Sequence, residues 1–399
     1  MSRPHVVVVG GGVVGSAVAR RLTLCEPRPD VTLVEKESQP ALHQTRRNSG
    51  VVHAGLYYAP GSAKARLSRE GVDRLRRYCR GRGLPYDEVG KLVIALDDEE
   101  TRRLRDIEVR ARANGVPGLR WLGPDALRDV EPHAVGRAAL HSPTTAITDF
   151  PAVAAAMLDD AAARGAGVLT GFEVTAFEHR DSAVEVRAAD GRRLEADRVV
   201  VAGGLHADRL AVLAGDGPSP AIVPFRGEYL RLRDSATHLV RGLVYPVPDP
   251  RYPFLGVHLT RRVDGNVLLG PNAVLATARE GYRRRDVELD VVRALAVSRG
   301  FRHFARANLL TGAHEVAGSL SRRVFVERAR RYVPEITHAD VVPGEAGVRA
   351  QAMDPDGSLV EDFRFSRVGS VLCIRNAPSP AATASLAIAD LVVERLDLG

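Results

Sequence analysis

Lysine is nearly absent from this chain. It occurs only at Lys36, Lys64 and Lys91, although Lys and Arg together number 56. Almost every positive charge is therefore arginine, a skew that reads as codon composition rather than selection for a binding patch. Against 49 acidic residues the formal charge is +7. The arginines are interleaved with acids, however, and the densest cluster, Arg283 to Arg285, is short. No basic stripe of the kind that tracks a phosphate backbone is present, so no nucleic-acid partner is expected. Such a charge leaves room for peripheral contact with an anionic membrane. Cysteine is also scarce. Cys25, Cys79 and Cys373 form an odd set without CxxC spacing, which excludes a disulfide framework and a zinc site. Three reduced, mostly buried thiols suit a reducing compartment. No apolar run reaches the ~18 residues of a membrane span. The apolar stretch from Val6 lacks the basic flank and cleavage site of a signal peptide. The expected location is cytoplasmic, with any membrane contact peripheral at the inner face.

The chain does have a legible beginning. His5 to Val9 is a β-branched run of strand length, followed by the turn Gly10-Gly-Gly-Val-Val-Gly15 and a helical stretch from Ser16. A second apolar strand, Val31 to Val34, ends at Glu35. Gly10 permits the tight turn, Gly12 lets a pyrophosphate approach the backbone, and Gly15 lets the helix close on the strand. The helix N-terminus offers unpaired N–H groups to phosphates. Glu35 is spaced to accept hydrogen bonds from ribose hydroxyls, and an acid there disfavours a 2′-phosphate. Lys36 follows directly and belongs to the same binding edge.

Later segments choose FAD over NAD. Arg198 to Leu205 reads as a buried strand ending in Gly203-Gly204, as in flavoproteins with two dinucleotide-binding domains. The strand Phe172 to Phe177, with Val174 at its centre, is similar to the one lying beside adenine there. Gly347-Val-Arg349 followed by Asp354-Pro-Asp-Gly357 resembles the closing flavin motif of the D-amino-acid oxidase superfamily. Asn376-Ala-Pro378-Ser-Pro-Ala381-Ala382-Thr383 opens a helix to about Leu396, whose dipole can stabilise reduced flavin. The expected fold is α/β: a Rossmann-like FAD-binding domain of residues 1–85, 150–225 and 335–399, and an α+β substrate domain of 86–149 and 226–334. Short strands at Lys91 to Leu96, Ala221 to Leu232 and Asn266 to Leu269 predict a mixed or antiparallel sheet in the latter.

Six strings carry a more specific resemblance: His43 to Ser62, Pro224 to Tyr229, Val244 to Thr260, Gly270 to Ala276, Gly347 to Ala352 and Arg375 to Thr383. In this order they resemble the L-2-hydroxyglutarate oxidase/dehydrogenase family along essentially the whole chain. The resemblance implies FAD-dependent oxidation of L-2-hydroxyglutarate to 2-oxoglutarate, with hydride passing from C2 to flavin N5 and electrons then to oxygen or a quinone. A dicarboxylate needs cationic partners, and the hydroxyl proton needs a base near neutral pKa, which points to histidine. Arg349 matches the superfamily's substrate-facing arginine. Arg226, on a strand, serves either substrate or a structural ion pair. His258 is the preferred base. His53 is its rival and also a flavin contact or covalent attachment point. Tyr57, Tyr58 and Tyr245 either donate hydroxyls to a carboxylate or pack as buried rings, and His43, Asn48 and Ser49 shape the flavin loop.

Several positions depart from the family pattern: Arg46 for glycine, Glu345 for proline, Thr277-Ala278 for Phe-Lys, and Ala146 and Thr148 for Gly and Val. The lost lysine bears on the far carboxylate of a dicarboxylate. The alternative reading is an enzyme of the same fold acting on another 2-hydroxy or 2-amino acid. Oligomeric state has no sequence signature here.

Overall fold

Valine runs bounded by glycine set the first sheet. His5–Val9 pairs in parallel with Asp30–Val34 on one side and Arg198–Val201 on the other. Strands covered on both faces need unbroken apolar sequence, and Val6 through Val9 are all buried. The computed structural model describes residues 3–181, 183–249, 256–308 and 321–398. In it this sheet has six strands, ordered Arg364–Val368, Val371–Asn376, Arg198–Val201, His5–Val9, Asp30–Val34 and Gly167–Leu169. All are parallel except the first, which turns back antiparallel on its neighbour. The helices Val13–Leu22, Ala63–Arg82, Phe150–Ala162 and Ala381–Leu396 pack into one core against it. The first helix begins at Val13 rather than Ser16, because Gly12 already serves as its N-cap. A three-stranded layer, Val174–His179, Val184–Ala188 and Arg193–Ala196, helps cover the other face.

The second sheet is larger and mixed. Its path runs Val274–Leu275, Ala221–Leu232, Val267–Gly270, His258–Arg261, Leu243–Pro246, Lys91–Ala95, Ala138–Ser142 and Arg120–Leu122. Leu243–Pro246 and Lys91–Ala95 are parallel and the other pairs antiparallel. The long strand Val341–Met353 pairs with Ala221–Leu232 along nearly its whole length. Residues 341–353, expected among the cofactor-binding segments, are thus hydrogen-bonded into the large sheet. The resembling string Val244 to Thr260 is only partly visible, since residues 250–255 lie outside the described residues.

Strand alternation gives the large sheet two different faces. In Lys91–Ala95, Leu92 and Ile94 point into a core with Phe325, Val326 and Ala329. Val93 and Ala95 point the opposite way, toward Ala54, Leu56 and Leu104. Lys91 shares that second face, which is turned toward the loop after the glycine-turn domain's segment 43–52. All three cysteines are free, and Cys79 and Cys373 are buried. No helix among the described residues is long and apolar enough to cross a membrane.

Candidate active site

A cavity of about 750 Å³ runs along the C-terminal ends of the parallel strands, within the size range of small-molecule and cofactor sites. Gly10, Gly12, Gly15, Glu35, Lys36, His43, Asn48, Val174, Gly203, Gly204, Asn376, Ala381, Ala382 and Thr383 all line it. Ser49 and Pro378 do not. Gly10 has φ of +108°, and a Cβ there would lie 2.4 Å from the Ala202 carbonyl oxygen. At Gly12, by contrast, an added Cβ would meet only Thr45 Oγ1, at 3.3 Å. The turn therefore presents bare backbone to the cavity, as a pyrophosphate requires. Glu35 is fixed at the far end of its strand: one carboxylate oxygen accepts from Gly11 N–H at 2.7 Å and the other from Glu37 N–H at 2.9 Å. The Ala381–Leu396 helix points its N-terminus into the same cavity, and its Thr383 Oγ1 accepts from His53 N–H at 3.1 Å. These features fit FAD: a pyrophosphate cradle, a ribose-facing acid and a positive helix end.

Sequence reasoning missed the strap that closes this cavity. Glu280 reaches across from the large sheet's domain to His206 Nε2 at 3.0 Å and Lys36 Nζ at 2.7 Å. Burial pushes its carboxyl up, but hydrogen bonds from His206 and Lys36 outweigh this and hold it at about 2. Tyr282 stacks on His43, whose Nδ1 lies 2.7 Å from the Tyr282 hydroxyl, and Arg47 sits over the Tyr282 ring. The buried pair Arg279–Asp208 anchors the strap at 2.6 and 2.9 Å. Glu37, His43 and Glu280 lie close enough to hold a metal ion, but the Lys36 ammonium already bridges Glu37 and Glu280. Thr277 and Ala278 belong to this strap, where Thr277 Oγ1 donates to Asp286 O.

The residues expected to meet the substrate lie on or near the second face of the large sheet. His258 is buried and stacks on Tyr245, with ring centroids 3.9 Å apart. His258 Nδ1 lies 2.8 Å from Gly256 O, so Nδ1 carries the hydrogen and Nε2 is left as the acceptor. Burial lowers the His258 pKa to about 3, with Lys91 and Arg349 adding to the effect. His53, on the facing loop and in the wall of the cofactor cavity, is lowered to about 3 by burial and by Lys91, His258 and Arg349. Arg349 is exposed and within electrostatic reach of both imidazoles and of Tyr229 and Tyr245.

Arg226 does not join this group. Strand register places Phe225 opposite Arg349 and Arg226 opposite Val348. Opposed residues share a face and successive residues alternate, so the two guanidinium groups leave this strand pair on opposite sides. Arg226 is buried and bonded to Glu228 and to Arg283 O, the ion-pair alternative. Tyr245 packs against His258 with its hydroxyl 3.5 Å from Thr260 Oγ1.

Two of the departures meet in a second cavity of about 1030 Å³, lined by Arg46 and Glu345 together with Arg47, Tyr229, Arg231 and Arg262. Ala146 and Thr148 instead sit in a small sheet with Val51–Val52, where Thr148 Oγ1 donates to Pro85 O.

A parallel sheet with a glycine turn, a cofactor cavity across its strand ends and a covering mixed sheet defines a flavin-dependent oxidoreductase. The FAD dependent oxidoreductase family model matches residues 5–395. Within that class, the chain belongs to the L-2-hydroxyglutarate dehydrogenase family. It is 44% identical to the mitochondrial L-2-hydroxyglutarate dehydrogenase of Nematostella vectensis over 98% of this chain and 90% of that one. Identity is 42% with the mitochondrial human protein, covering 98% and 88%, and 40% with the Escherichia coli L-2-hydroxyglutarate dehydrogenase, covering 98% and 92%. Among solved structures, FAD-bound L-α-glycerophosphate oxidase from Mycoplasma pneumoniae superposes with a TM-score of 0.79 at 22% identity, covering 100% of this chain and 95% of that one. Glycine oxidase from Geobacillus kaustophilus follows at 0.73 and 21%, with the same coverage. At these identities the two structures establish the fold alone.

Proposed function

We propose that this chain oxidises L-2-hydroxyglutarate to 2-oxoglutarate. The observation that carries the reading is identity of 40–44% to proteins named for that activity, extending over 98% of the chain. FAD, held by the glycine turn, Glu35 and the N-terminus of the Ala381–Leu396 helix, would supply the two-electron acceptor for the hydride that leaves the substrate C2. The chain's own residues bind and deprotonate. Arg349 holds the carboxylate next to the reacting carbon. His258 takes the hydroxyl proton at Nε2; burial and the two cations hold the free imidazole well below the near-neutral value expected of such a base, and a bound substrate anion beside it raises that value. His53 lies between the cofactor cavity and the sheet face and orients the hydroxyl. The reduced cofactor would pass its electrons to oxygen or a quinone.

Anaerobic titration tests the reading directly. The bound flavin should bleach with L-2-hydroxyglutarate and stay oxidised with the D enantiomer. A second reading, another 2-hydroxy or 2-amino acid, draws on Arg46 and Glu345, which depart from the family pattern in one cavity. A flavin that ignores both enantiomers but bleaches with a different acid establishes that alternative.

A further inference from the structure

Lys91 is one of only three lysines in the chain, and it opens a strand in the middle of the large sheet. It is 0% exposed, and its Nζ has no hydrogen-bond partner among the described residues. A buried ammonium without a partner is costly, and folded proteins pair such groups or neutralise them. Here the ammonium sits 3.7 Å from the Tyr245 ring centroid and 4.6 Å from that of Tyr57. Ring faces attract the charge but supply no acceptor oxygen.

Register explains the placement. Val93 lies opposite Tyr245, and Lys91, two residues earlier, shares Val93's face. Tyr245 in turn stacks on His258. Lys91, Tyr245 and His258 therefore stand on one sheet face, and Tyr57 closes over Lys91 from the facing loop. His53 and His258 both feel Lys91 and Arg349, and His53 feels Lys64 as well. Of the shared pair, Arg349 is exposed and Lys91 sealed. A molecule that touches both imidazoles lies within the electrostatic reach of both cations.

The geometry points to Lys91 as a specificity-determining residue that binds the second carboxylate of the substrate, the one remote from the reacting carbon. This rests on the dicarboxylate reading of the function and places the missing far-end cation on the sheet rather than in the strap. A carboxylate at that spot receives the ammonium's N–H donors and satisfies its charge. A ligand of equal length without the second carboxylate leaves Nζ buried and unpaired, which a site built for pairing rejects strongly. Burial alone pushes the Lys91 ammonium down to about 7, and an incoming dianion stabilises its charged form.

Binding to the oxidised holoenzyme, read from the flavin spectrum, separates this role from turnover. The probes are 2-oxoglutarate and its monocarboxylate counterpart 2-oxovalerate. Lys91→Met should weaken 2-oxoglutarate by about 100-fold and leave 2-oxovalerate within about threefold, whereas Lys91→Arg should retain discrimination. Equal loss of both ligands, or none, overturns the assignment. The wild-type enzyme gives an independent check should Lys91→Met fail to hold flavin. Its preference for 2-oxoglutarate should fall by about tenfold per pH unit above 7, as free Lys91 loses its proton. The other titratable groups around it are His53 and Tyr57 on the loop, His258, Tyr245 and Arg349 on the sheet, and Lys64 on the helix Ala63–Arg82. The imidazoles stay neutral and burial holds the phenols protonated in this range. A preference flat from pH 6 to 9 overturns the proposal. If the flavin is not reduced by L-2-hydroxyglutarate, yet Lys91 still selects 2-oxoglutarate, the oxidation reading fails and this one stands.

Discussion

Arg349 and Arg226 show how much a single residue's role depends on which way it points. Both are arginines on strands of the same hydrogen-bonded pair and both match motif strings, but the motif gave only Arg349 a substrate role and left Arg226 between substrate and an ion pair. Cross-strand register puts them on opposite faces, and Arg226 is consumed by Glu228. Arg349→Ala should retain flavin but lose about 100-fold or more in kcat/KM, measured with L-2-hydroxyglutarate; unchanged turnover removes it from the site. His258 supports a second prediction, on stability. Its imidazole is neutral in the fold down to about pH 3, whereas the unfolded chain protonates near 6.5. Above 6.5 neither state binds the proton. Between 6.5 and 3 the unfolded state binds more, so His258 alone removes about 1.4 kcal/mol of stability per pH unit as pH falls. Denaturant melts of wild type and His258→Asn at pH 7 and pH 5 should show a smaller acid loss in the variant.

At the scale of elements, the approach of two helices governs the flavin end of the site. Gly71 lies inside the helix Ala63–Arg82, where an added Cβ would fall 2.4 Å from Thr383 O and 2.6 Å from Ala384 Cα. The helix Ala381–Leu396 therefore seats its first turn directly on the Gly71 backbone. Thr383 lines the cofactor cavity and accepts from His53 N–H, so that contact sets both the helix end and the loop bearing His53. Gly71→Val should displace the helix, at a cost of about 1–3 kcal/mol for overpacking, and lower FAD affinity. The ratio of flavin to protein absorbance in purified protein checks this. The glycine of the turn was legible from spacing, but Gly71 was not, because its partner backbone is remote in the chain.

For the molecule as a whole, the cofactor cavity lies where the parallel sheet, the helix Ala381–Leu396 and the Glu280 strap converge. A ligand bound by the native state alone stabilises it by mass action. Removal of FAD should lower Tm, and titrating FAD back should raise it in a concentration-dependent way, by calorimetry. A Tm indifferent to FAD argues that the cavity walls hold together without it. Glu280 and Asp208 belong to this closure, and their partners are known only once the chain is folded.

Local pattern alone announced the dinucleotide turn, the parallel strands beside it and the family strings, because those signals depend on neighbours a few residues apart. Backbone conformation at Gly10, continuous valine burial and the strand-ending Glu35 are of this kind. Tertiary structure alone decided which cations and imidazoles meet. Lys91 reads in the sequence as an ordinary polar residue at a strand start. Its sealed ammonium, its tyrosine neighbours and its place on the face of His258 follow from sheet register among strands remote in the chain. Electrostatics and desolvation act through space, so the chemistry of that site exists only in the assembled fold.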